Sequence, residues 1–69
     1  MTPTLKWTDV EDIALLLHAQ EPDTDPLTVR FTALRDKVLA LPGFADDPAH
    51  VNEKILEAVQ MAWYEEYQQ

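Results

Sequence analysis

The sequence predicts an all-α fold of three main helices in a single domain over residues 1–69. Three observations carry that expectation. Apolar residues recur every three to four positions in three separate segments. Five prolines and the single glycine punctuate the chain around those segments. Alternation at the strand period is nearly absent. A chain of 69 residues has no room for a second domain, and it buries only about 60% of its unfolded surface. With no cysteine, neither a disulfide nor a thiolate metal site can support it. Helix packing has to supply the core.

The first segment opens with "TDVE". Thr8 as N-cap and Glu11 three residues later are spaced for a capping box. Val10, Ile13, Ala14 and Leu17 then form one apolar stripe of a helix running to about Gln20. Trp7, just before the cap, is placed to pack back on the first turn. Leu15 and Leu16 fall off the stripe, so one of them is expected to be partly exposed. His18, near the helix end, suits the negative end of the helix dipole.

The second segment is "DPLTVRFTALRDKVLALPGF". Asp25 as cap and Pro26 at the first helical position predict a short helical turn. Val29 and Phe31 suggest a brief extended link, after which Thr32 is placed to cap a second piece. Phe31, Leu34, Val38 and Leu41 keep helical spacing until Pro42-Gly43 ends it.

The third segment opens with "FADDPAHVNEKILEA". Asp47 as N-cap and Pro48 as first residue predict a helix to about Tyr67. Val51, Ile55, Ala58, Val59 and Ala62 fall within about 100° of each other on its wheel, with Leu56 and Trp63 on the flank. His50, Glu53 and Glu57 then share the opposite, outward face. Imidazole and carboxylate suit Mg²⁺, Mn²⁺ or Fe²⁺. A closed metal site, however, draws ligands from more than one element, and an outward face offers only one. A solvated helix face is therefore the expected role of this group.

Thirteen acids against five bases give a net charge of −8. So acidic a body repels nucleic acid and anionic lipid and attracts cations and basic protein surfaces. The acids crowd both ends of the chain, while Arg30, Arg35 and Lys37 make one basic spot that either pairs with neighbouring carboxylates or meets a ligand. Asp9 and Asp12 lie about 60° apart at the start of the first helix, well off its apolar stripe, as a second acidic cluster. "EPDTDP" adds Glu21, Asp23 and Asp25, but lacks the glycine and distal glutamate of a calcium loop. There is no serine, no phosphate-cradling glycine loop and little chain with which to build a cleft, so a non-enzyme is expected. The longest apolar run, Ile13 to Leu17, is far short of the roughly 20 residues of a membrane span. "MTPTLKWTD" holds no apolar signal core, which makes a cytoplasmic location the expectation.

Four stretches, "LKWTD" (5–9), "PDTDPLTVRFT" (22–32), "FADDP" (44–48) and "NEKILEAV" (52–59), are followed by Trp63. Together they resemble the IscX (YfhJ) family, small acidic proteins of bacterial iron–sulfur cluster assembly, nearly from end to end. The resemblance implies a winged-helix-like all-α domain. It also implies docking on the basic surface of the pathway's cysteine desulfurase, in competition with the bacterial frataxin-like protein. Weak binding of ferrous iron (Fe²⁺) through the acidic surface is a further implication. By position, Asp9 and Asp12 become the first candidates for both iron and desulfurase, and Asp23, Asp25, Asp46, Asp47, Glu53 and Glu57 also match.

Departures from the family pattern are equally specific. Members tend to carry tyrosine where Glu21 stands, aspartate where Ala33 stands and tryptophan where Lys37 stands. Leu15 and Ala19 occupy positions where members carry further acids, which weakens the expectation of iron more than that of a partner. His50 matches no motif position. The expected function is a monomeric, non-catalytic adaptor or regulator of cluster assembly that binds neither nucleic acid nor membrane. Its rivals are a purely structural acidic interaction module without metal and an iron donor to the cluster scaffold.

Overall fold

The computed structural model describes residues 4–69. Three helices, α1 (Val10–Gln20), α2 (Phe31–Leu39) and α3 (Glu53–Tyr67), are separated by two short 3-10 turns, Pro26–Thr28 and Pro48–His50. The all-α expectation holds. Extended pairing among the described residues is limited to an isolated parallel bridge between Leu5 and Phe44. There Leu5 N–H donates to Gly43 O and Ala45 N–H donates to Leu5 O, each at 2.9 Å. Gly43 takes φ of 82°, the left-handed conformation that lets the chain leave α2 and turn back toward the N-terminal segment.

The caps correct three sequence expectations. Asp9, not Thr8, is the N-cap of α1, and the predicted capping box does not form. The Asp9 carboxylate turns backwards and accepts the Lys6 backbone N–H at 3.0 Å instead. The cap of α2 is Arg30, which together with Val29 has extended backbone, so the expected link is present but the helix starts two residues earlier than a Thr32 cap would give. The Asp47-Pro48 signal starts only a 3-10 turn; α3 begins after Val51, where Asn52 Oδ1 accepts the Ile55 N–H at 2.9 Å. His50 consequently lies outside α3 and does not share a helical face with Glu53 and Glu57.

The core is built from Leu5, Trp7, Ile13, Leu17, Leu34, Val38, Leu41, Leu56, Val59 and Trp63. On α3 the inward face is centred on Leu56, Val59 and Trp63, which the wheel placed on its flank or edge, while Ala58 is exposed. That rotation follows from the tryptophan: the largest apolar surface gains most from burial, and Trp63 is wholly enclosed. Trp7 goes much deeper than a staple, at 1% exposure, and packs edge-on against Phe44 with ring centroids 4.8 Å apart. Leu15 is exposed and Leu16 half-buried, as their off-stripe positions required. His18 sits in the last turn of α1 as expected, half-buried, with its Nδ1 unpartnered among the described residues.

Folding pairs two of the three residues of the expected basic spot and leaves Arg30 exposed. Lys37 Nζ reaches both carboxylate oxygens of Glu21 at 2.8 and 2.7 Å, and Arg35 leans on Asp36 at 3.9 Å. The fold thus brings Glu21 and Lys37, sixteen positions apart, together as one ion pair.

Candidate functional site

The main packing contact of the fold is between α1 and α3, and it sets the beginning of α1 beside the end of α3. One shallow groove between them is lined by Asp9, Glu11 and Asp12 on one side and by Met61 and Glu65 on the other. A second, narrower one is lined by Glu11, Leu15, Glu65 and Glu66. Five carboxylates from opposite ends of the chain thus flank one helix–helix seam. Glu11 and Asp12 sit in the first turn of α1, where negative charge is favoured by the free N–H groups of the helix. Glu65 and Glu66 have the opposite placement, in the last turns of α3, where the carbonyl ends repel them.

The candidate acids do not form one cluster. Asp9 and Asp12 line the α1–α3 seam. Glu57 lies further along α3 beside Lys54 and Met61, and Glu53 is exposed in its first turn. Asp23 is exposed in the loop after α1, where Asp25 caps the Pro26 turn by accepting the Leu27 N–H at 3.0 Å. Asp46 and Asp47 are bound up in the loop before α3. Asp46 accepts the Trp7 N–H at 3.1 Å, its neighbour's N–H at 2.7 Å and His50 Nδ1 at 3.0 Å. The Trp7 N–H, followed by His50 and then the Asp47 N–H, holds the Asp46 carboxyl below its ordinary value. Asp47 Oδ1 accepts the Ala49 N–H at 2.9 Å, and its backbone carbonyl accepts the Trp7 indole N–H at 2.9 Å.

The sequence placed Asp9 and Asp12 in the site with Glu11 on another side of the helix, and did not point to Glu65, Glu66 and Met61. Glu65 and Glu66 stand more than fifty positions from Asp12, so only the α1–α3 packing relates them. A visible signal was their place at a helix C-terminus, against the dipole.

Among the described residues no three His, Asp or Glu side chains converge as a metal centre needs. One oxygen of the Asp9 carboxylate is taken by the Lys6 backbone N–H.

Among known proteins, a family model described as iron–sulphur cluster assembly matches residues 5–68. An uncharacterized protein of Pseudomonas aeruginosa is 52% identical over 63 residues, covering 91% of this chain and 96% of the relative. No helix of the described residues is long and apolar enough to cross a membrane.

Proposed function

The chain belongs to the iron–sulphur cluster assembly family, the IscX (YfhJ) family, and from that premise we propose that it is a non-catalytic adaptor docking on the pathway's cysteine desulfurase. The observation that carries this reading is the acidic seam of α1 and α3, where Asp9, Glu11, Asp12, Glu65 and Glu66 converge without a basic residue among the lining groups. Such a surface is attracted over long range to a basic one, which speeds encounter and fixes orientation. A frataxin-like protein using the same basic surface would be a competitor. Asp23, Glu53 and Glu57 lie off the seam and add to the long-range field. Asp46 and Asp47, engaged internally, hold the N-terminal segment in place.

Ferrous iron enters this reading only as a weakly held, largely hydrated cation shared among exposed carboxylates. Docking needs no metal. The experiment is an NMR titration of the labelled chain with purified cysteine desulfurase. Amide signals at the start of α1 and the end of α3 should broaden first. Broadening confined to the Pro26–Thr28 turn and α2 would contradict the reading. A parallel anaerobic Fe²⁺ titration decides the metal: spectra unchanged at millimolar Fe²⁺ would leave a bare interaction module.

A further inference from the structure

Resting on the docking reading above, we infer that Leu15 is the apolar anchor of the complex, inserting into an apolar recess on the partner whose rim of lysines and arginines meets the acids around it. Leu15 is 50% exposed, whereas the other large apolar side chains of α1 are buried or half-buried. A lone exposed leucine needs no explanation in itself. Its surroundings do.

Leu15 forms a ridge between two grooves and lines both of them. On one side are Glu11, Glu65 and Glu66. On the other are Asp9 and Asp12, above an apolar floor of Leu5, Leu16 and Pro42. An apolar side chain ringed by charged groups is the arrangement in which the centre of an interface holds and the rim excludes water and steers.

Charge decides the occupant. A second copy of the chain would bring the same ring of carboxylates against itself on a body of net charge −8. An anionic lipid surface is excluded by the same sign. A basic-rimmed apolar recess satisfies both the leucine and its acids, and the basic partner of the docking reading is where it is sought.

The test uses the full chain and purified cysteine desulfurase, with dissociation rates measured at several salt concentrations. Leu15→Gln should dissociate roughly tenfold faster than wild type while keeping the wild-type salt dependence, since no charge has changed. Leu15→Met should stay close to wild type and Leu15→Ala should follow Leu15→Gln, each with an unchanged thermal melt. Leu27, 52% exposed on the Pro26–Thr28 turn and lining neither groove, is the control. Leu27→Gln should leave dissociation as in wild type. If Leu15→Gln and Leu15→Ala dissociate like wild type, or if Leu27→Gln matches them, the anchor is wrong and electrostatic docking stands. If wild type does not bind the desulfurase, the docking reading fails and the anchor with it.

Discussion

The backbone N–H of Trp7 donates to the carboxylate of Asp46 at 3.1 Å, tying together two points 39 residues apart in the chain. The same tryptophan donates its indole N–H to the Asp47 carbonyl at 2.9 Å. One residue thereby clamps the N-terminal segment to the loop before α3, and α1 starts three positions later. The acidic end of α1 is positioned by this clamp as much as by its own packing.

Asp46 makes the clamp sensitive to acid. Its folded carboxyl is held below the ordinary value, first by the Trp7 N–H and then by His50. A lowered folded value means that the stabilisation is present above the unfolded carboxylate range, near 4, and is lost as pH falls through the lower folded value. Urea midpoints measured from pH 6 to pH 2 should show this loss in wild type and a shallower one in Asp46→Asn. His50→Ala should move the Asp46 carboxyl signal in NMR toward ordinary titration. Equal pH dependence in all three proteins would refute the clamp's role.

Trp7→Phe keeps most of the ring against Phe44 but leaves the Asp47 carbonyl without its donor. The expected cost is about 1–2 kcal/mol, or roughly 4–8 °C in melting temperature per kcal/mol for a domain of this size. Calorimetry reads it directly.

Asn52 is the side-chain cap of α3, whereas Thr8 caps nothing. Asn52→Ala should cost about 1 kcal/mol, and Thr8→Ala should fall within about 0.5 kcal/mol of wild type. Denaturant unfolding of the two variants side by side checks the corrected helix starts, because a capping box at Thr8 would reverse the order.

The Glu21–Lys37 pair is about a third exposed on both sides, so solvent screens it and its coupling should be only about 0.2–1 kcal/mol, smaller in high salt. Glu21→Gln and Lys37→Met should each cost no more than about 1 kcal/mol, and the double variant should cost less than the two together. A double-mutant cycle by thermal melting gives the sign of the coupling.

Much of this fold could be read in residue spacing. The stripe through Val10, Ile13, Ala14 and Leu17 and the Asp25-Pro26 turn lie where periodicity and local backbone preference put them, whereas α2 ends at Leu39, short of Leu41 and the Pro42-Gly43 stop. Cap choice was less legible. Thr8 and Asp9 are both good caps by residue type, and spacing alone does not choose between them. Asp47-Pro48 has a strong local signal, but Val51 is extended and Asn52 restarts the helix, which removes His50 from the face it was assigned. The seam itself is tertiary: no pattern within α1 announces that Glu65 and Glu66 will stand beside Glu11.

The central claim is that the α1–α3 seam docks by charge. Its most direct test is the association rate with purified cysteine desulfurase across ionic strength, for wild type and for Glu11→Gln/Asp12→Asn/Glu65→Gln/Glu66→Gln. At the roughly 10 Å screening length of 0.1 M salt, wild-type association should already be falling steeply. The neutralised variant should associate more slowly at low salt and converge on wild type as salt rises. Equal rates for the two proteins at low salt would contradict the account.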